Sequence, residues 1–237
     1  MCASFKIVGA GTGGVFAQRV ALPEGVWVKK PASLGFDAAA CLAVNFLTAF
    51  RMVVSRGRVR PGETVLVTGI GGGVAIAALQ IAKLAGARVV VTSSSAAKLE
   101  RAAALGADAG ILYKSEDVAA RIATVTGGRG VDLVIDSAGE ATYAQNLASL
   151  RKGGRLVHCG VTTGFNPPAD LRQLYLRQLE VIGSTLGSRT ELAEVLRLAE
   201  SGLLRPIIDA TYPLEGLREA TRRMEAGEQM GKLVVKL

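Results

Sequence analysis

Between residues 64 and 201 the chain repeats one unit, a short apolar, β-branched run followed by a stretch with helical spacing. Strands are expected at 64–68, 88–92, 109–112, 131–135, 155–158 and 180–183, and helices at 73–85, 96–105, 116–125, 140–150, 169–178 and 189–201. Strands this short and this apolar are buried on both faces, and the helix after each supplies the crossover that parallel neighbours need. The pattern specifies an α/β fold, a doubly wound parallel sheet of six strands with helices on both sides.

The first strand, Thr64-Val65-Leu66-Val67-Thr68, runs into Gly69, Gly71, Gly72 and Gly73, and an Ala-rich helix follows at once. Glycines admit positive φ and let a phosphate approach backbone N–H groups, while the helix aims the positive end of its dipole at the same place. Gly69-x-x-Gly72-x-x-Ala75 fits the dinucleotide turn of a Rossmann sheet, so Gly69, Gly72, Gly73 and Val74 are candidate cofactor contacts. Alone, such a cluster is a weak signal, because an ordinary strand-to-helix turn can carry it too. Six strand-helix steps supply the context that makes it a dinucleotide site.

In that fold the end of the second strand, about 20 residues past the glycines, reads the adenosine ribose. Here it carries Ser93-Ser94-Ser95, with Lys98 one turn later and no acid before Glu100. Hydroxyls and a cation suit a dianionic 2′-phosphate, so NADP(H) is expected over NAD(H); the serines can cap the next helix at the same time. Ligands lie beyond the carboxyl ends of such strands, which brings Ser137, Cys159 and Gly160 toward ribose and nicotinamide. His158 and Cys159 are adjacent on a strand and point to opposite faces, which argues against a Cys–His catalytic pair. Cys159 is expected as a small pocket wall and His158 as a packed strand residue.

The three cysteines, Cys2, Cys41 and Cys159, are far apart and odd in number, and His158 is the one histidine. A disulfide framework and a His-rich metal site are both excluded. The net charge of +8 comes from arginines interleaved with acids along helical segments, which fits a solvated surface better than a nucleic-acid stripe. The apolar stretches are broken by Gly, Lys or Arg before about 18 residues, so no membrane span or signal peptide is expected and a cytoplasmic location follows. Apolar runs at 15–17 and 25–28 are expected as strands of a larger β structure, 37–54 as a helix, 207–208 and 232–235 as strands, and 214–226 as a helix.

Arg58 to Val67, the Gly-Gly-Gly-Val turn, Lys98-Leu99-Glu100-Arg101-Ala102, Leu105-Gly106-Ala107-Asp108, Gly127 to Asp132 and Gly153-Gly154-Arg155-Leu156-Val157 together resemble the medium-chain dehydrogenase/reductase superfamily. The nearest likeness is to its quinone oxidoreductase-like and zinc-type alcohol dehydrogenase-like members, and it runs from Cys2 to Val234. The resemblance implies an NADP-binding Rossmann domain at 36–205, flanked by remnants of a GroES-like catalytic domain at 1–35 and 206–237, the chain starting near the end of that domain. It puts Cys2 where zinc-lobe members have the last of four cysteines, and Val44 where true alcohol dehydrogenases have a zinc-binding Cys. Neither a structural nor a catalytic zinc is therefore expected. It also implies that Thr48 lies against nicotinamide and Tyr113 near the 2′-phosphate, and that the sixth strand pairs across a two-fold axis in a homodimer. The function implied is a zinc-independent, NADP(H)-dependent oxidoreductase moving hydride between nicotinamide and a small carbonyl, enone or quinone. The alternative is an NADPH-binding module without turnover, or a fragment of a longer dehydrogenase. Asn45 is a possible polar group in the substrate cleft or a buried structural amide, and no acid or base is identified.

Overall fold

The six strands, β1 (Thr64–Val67), β2 (Arg88–Ser93), β3 (Ala109–Leu112), β4 (Val131–Asp136), β5 (Leu150–His158) and β6 (Glu180–Gly183), form one sheet in the order β3-β2-β1-β4-β5-β6. Every pairing is parallel, with Val65 opposite both Val89 and Leu133. This is a computed structural model, and it describes residues 6–10 and 12–237. Strand order reverses direction between β1 and β4, which leaves a crevice beside the carboxyl end of β1.

Side-chain alternation divides the interior into two cores. Val65, Val67, Val89, Val91, Leu133 and Ile135 face one side, and Leu66, Val90, Ile111, Val134 and Leu156 face the other. The first core is closed by α3 (Gly73–Leu84), whose Ala75, Ile76, Ala78, Leu79 and Ala82 are buried, and by Val195 and Ala199 of α8 (Arg189–Glu200). The second is closed by Val118 and Ile122 of α5 (Val118–Val125) and by Leu147 of α6 (Glu140–Ser149). Alanines on α3 let that helix lie close to the sheet, at no side-chain entropy cost.

The helical run at 36–56 differs from a plain helix. It comprises α1 (Phe36–Ala40) and α2 (Leu47–Phe50), with π-helical turns at Leu42–Phe46 and Arg51–Arg56. Gly57 follows it, at a place where only glycine fits, because Met52 O lies 2.5 Å from where a Cβ would be. At 21 residues this run is long and apolar enough, by length and composition, to cross a membrane, although Asp37 and Arg51 interrupt it. Its Leu42, Phe46, Ala49, Met52 and Val53 are buried in the first core, the place of a central helix in a globular protein.

Other expectations shift. Residues 15–17 and 25–28 are not strands; Glu24–Val26 is a short 3-10 turn, and no neighbouring chain among the described residues offers these runs a hydrogen-bonding edge. β5 begins at Leu150, well ahead of 155, because Leu150 already pairs with Val131; Arg151-Lys152-Gly153-Gly154, with Gly153 at φ +68°, then bulge out before the pair Leu133–Arg155. α4 (Ala96–Ala104) and α7 (Leu171–Arg177) lie where helices are expected. After α8 the chain forms β7 (Ile208–Pro213), α9 (Leu217–Glu225) and β8 (Lys232–Lys236), with β7 and β8 paired parallel as a separate two-stranded sheet. Met230, completely buried, anchors this C-terminal return in the first core.

Candidate dinucleotide cleft

Gly69 takes φ +65°, a conformation side chains rarely adopt, and turns the chain out of β1. Its N–H donates to Thr92 Oγ1 (3.1 Å), Ile70 N–H to Thr92 O (2.9 Å) and Gly72 N–H to Gly69 O (3.1 Å). The turn is thus braced against β2, and the N–H groups left for a ligand are those of the first turn of α3, at Gly73 and Val74, because the N-cap residue Gly72 has no side chain to satisfy them. A Cβ on Gly69 would meet nothing within 4 Å, and on Gly72 only Gly69 O at 3.7 Å, so the space above both is open. Gly71 and Gly73 serve another purpose. A Cβ on Gly71 would lie 3.0 Å from Lys98 Nζ and 3.3 Å from Gln229 O, and one on Gly73 2.8 Å from Lys232 Cδ and 3.0 Å from Asn45 Cγ. Those two glycines let the protein's own side chains close in.

Gly69, Gly72, Ser93, Ser94, Lys98 and Tyr113 all line one cleft of about 440 Å³. The fold brings these six sequence candidates together at the carboxyl ends of β1, β2 and β3. Ser93 is almost fully buried and its Oγ accepts Ser95 N–H (3.1 Å), which makes it a turn former; Ser94 is the more exposed hydroxyl. Lys98 donates to Gly227 O (2.5 Å), and burial lowers its pKa, opposed by Asp209. The remaining candidates lie outside this lining. Thr48 is nearly buried on α2, while Ser137 and Gly160 touch across the ends of β4 and β5, Ser137 O lying 2.5 Å from a Cβ on Gly160. Cys159 is half-buried; burial and then the charge of Asp136 push its thiol up to about 11, so at neutral pH it stays a protonated thiol and a poor nucleophile.

Beside these loops Asp136 is buried and accepts from Thr68 Oγ1 (2.7 Å), Thr142 Oγ1 (2.8 Å) and Gly139 N–H (2.9 Å). It ties the carboxyl ends of β1 and β4 to the start of α6 and fixes the crevice between them. Sequence reading missed Lys114 and the loop from Glu225 to Gln229, which also line the cleft. Lys114 could have been found, as a cation next to Tyr113 at the end of the third strand. The loop reaches the cleft only through tertiary docking, by Gly231 N–H to Gly71 O (3.0 Å), and has no local signature. Among the described residues no three His, Cys, Asp or Glu side chains converge, Val44 is exposed, and Cys2 lies outside the described residues.

A parallel sheet with an open glycine turn at its switch point defines a dinucleotide-binding α/β protein. Residues 73–201 match the family described as zinc-binding dehydrogenase. A zinc-type alcohol dehydrogenase-like protein of Schizosaccharomyces pombe is 33% identical over 99% of this chain and 70% of its own length. The crystal structure of an NAD-dependent alcohol dehydrogenase superposes with a TM-score of 0.95 and 39% identity over 100% of this chain and 69% of that one. The V350A variant of a crotonyl-CoA carboxylase/reductase, AntE, solved in complex with NADP, superposes at 0.83 with 28% identity, over 88% of this chain and 58% of that one. The chain belongs to the zinc-binding dehydrogenase family of the medium-chain dehydrogenase/reductase superfamily, whose members are NAD(P)-dependent oxidoreductases. It spans about 70% of the length of the S. pombe relative.

Proposed function

We propose that this chain is a zinc-independent, NADP(H)-linked oxidoreductase that moves hydride between nicotinamide and a small carbonyl, enone or quinone. The observation that carries the cofactor choice is the adenosine end of the cleft. Ser94, Lys98, Tyr113 and Lys114 converge there, and β2 ends without the carboxylate that would hold a 2′-hydroxyl and repel a 2′-phosphate. The nicotinamide supplies the hydride chemistry when bound, and the protein orients it. Gly73 and Val74 N–H groups face the pyrophosphate, Asp136 holds the β1 and β4 ends in register, and Ser137, Cys159 and Gly160 wall the nicotinamide end, with Thr48 behind it. Val44, where a metal-binding Cys would stand, leaves substrate polarisation to other groups.

Titration with NADPH and NADH at fixed ionic strength, followed by reduced-cofactor fluorescence, tests this reading. Tighter NADPH binding is expected, and equal affinity or tighter NADH binding overturns the NADP(H) assignment. A second reading, an NADPH-binding module without turnover, is favoured by the exposure of Val44, Val161 and Phe165, which leaves apolar surface around the carboxyl ends of the strands. Turnover across a panel of quinones, enones and aldehydes rejects it; NADPH binding without turnover supports it. Among the described residues no strand pairs with the outer edge of β6, which further supports a homodimer.

A further inference from the structure

At the amino ends of the strands, opposite the cofactor cleft, lies a second concavity of about 220 Å³. Arg129, Arg151, Lys152 and Arg177 line it, together with the last turns of α5 and α6. Two backbone devices bring these cations together. Gly130 has φ +84°, and a Cβ on it would lie 2.8 Å from Arg151 N and 2.9 Å from Ser149 O, so glycine lets the loop that carries Arg129 close against the start of β5. The bulge in β5 then frees Arg151 and Lys152 from pairing with β4, and bulges recur where a strand re-aims side chains beside a site.

Structural duties account for only part of this charge. Among the described residues Asp132 is the one carboxylate bonded to any of the four, and it takes Arg129 and Arg151. Arg177 donates to Leu147 O (3.0 Å) and to Leu150 O, closing the end of α6. A guanidinium carries more N–H donors than these bonds use, and the side chains of Arg129 and Arg151 are 53% and 28% exposed. Lys152 is exposed, and its amine has no partner among the described residues. Once Asp132 and the two helix ends are counted, each end equivalent to about half a negative charge, a surplus of about two positive charges is left. That matches a phosphate dianion, whose oxygens guanidiniums grip in a fork. The concavity is also smaller than the roughly 300–1,000 Å³ of a drug-sized site, so it fits one compact group.

We propose that Arg129, Arg151, Lys152 and Arg177 form an anion site that takes the phosphate group of a small phosphorylated ligand. The site does not rest on the dinucleotide reading, because it lies at the other end of the strands: β4 starts at its edge, near Asp132, and ends at Asp136 beside the cofactor cleft.

Inorganic phosphate is the probe, set against sodium chloride at equal ionic strength, with thermal melts and titration calorimetry on the full chain. A ligand that binds only the folded state raises the melting temperature; phosphate is expected to do so and chloride is not. Lys152→Met removes the cation that makes no structural hydrogen bond. It is expected to melt like wild type without phosphate and to bind phosphate about tenfold more weakly, the loss of one charge-assisted hydrogen bond. Lys98→Met is the control for phosphate held in the cofactor cleft. Phosphate binding that is lost in Lys98→Met and kept in Lys152→Met places the anion in that cleft and overturns the proposal. So do a response to phosphate no larger than to chloride, and binding of a single-stranded oligonucleotide by a chain that ignores free phosphate.

Discussion

Asp132, at the start of β4, gathers four donors. Arg129 grips both oxygens (2.7 and 2.9 Å), Arg151 Nε donates to Oδ1 (2.6 Å) and Thr64 N–H to Oδ2 (2.8 Å). Burial by itself would raise its pKa, but these hydrogen bonds outweigh it and hold the carboxyl at about 2. In the unfolded chain the same group titrates near 3.9, so the fold favours the carboxylate. The resulting stability is fully present above the unfolded value and is lost as pH falls through that value and then through 2; it amounts to roughly 2 kcal/mol. Asp132→Asn keeps the shape and removes the charge, leaving two guanidiniums without their carboxylate. It should cost roughly 3 kcal/mol at pH 7, a gap that narrows below about pH 4. Urea unfolding at pH 7 and pH 3 measures it, and a gap that does not change with pH would remove Asp132 as the source.

The C-terminal return acts as one wall of the cofactor cleft. Besides Met230 and the Gly231–Gly71 bond, Lys98 donates to Gly227 O, and Asp209 of β7 is bridged to Arg101 of α4 (3.0 Å) and to Arg223 of α9. Gly231 has φ +107°, and a Cβ there would lie 2.3 Å from Ile207 O, a backbone atom with little room to move. Gly231→Ala should therefore loosen the return, at about 1–3 kcal/mol of strain, and weaken dinucleotide binding with it. Gly227→Ala is the comparison. Gly227 also has positive φ but faces open space, so its replacement should cost about 1 kcal/mol. Thermal melts with NADPH titrations compare the two, and equal effects would show that the close approach at Gly231 does not matter.

This element also marks the limit of what the sequence made legible. Ser94 and Lys98 could be read as cleft residues because each follows a strand end by a short distance, and a parallel sheet brings all its carboxyl ends to one side; Tyr113 came from the family resemblance. Gln229 could not be read this way, because its place depends on a return of about 160 residues to Gly71 that leaves no local pattern. The same reasoning covers residues 15–17 and 25–28, whose β-branched composition suggested strands. A strand exists only where an edge is present to pair with it.

At the scale of the whole molecule, the sheet ends in two unequal edges. β3, at the cofactor side, is flanked by the cleft, whereas β6, at the other, exposes Val181 and stands next to α7, which exposes Leu171, Tyr175 and Leu176. An unpaired strand beside apolar side chains invites pairing with another chain. A two-fold axis at β6 would extend the sheet through both protomers and cover this surface in one closed, symmetric contact. Sedimentation velocity should then give a dimer, and Val181→Lys, which places a charge on the edge, should give a monomer with unchanged far-UV circular dichroism. Because the dinucleotide cleft lies on β1, β2 and β3, with β4 and β5 between it and that edge, the monomeric variant should bind NADPH within about twofold of wild type, well under the tenfold that 1.4 kcal/mol represents. A wild-type chain that sediments as a monomer would overturn the dimer. A Val181→Lys variant that turns monomeric and loses NADPH affinity would show that the two ends of the sheet are energetically coupled.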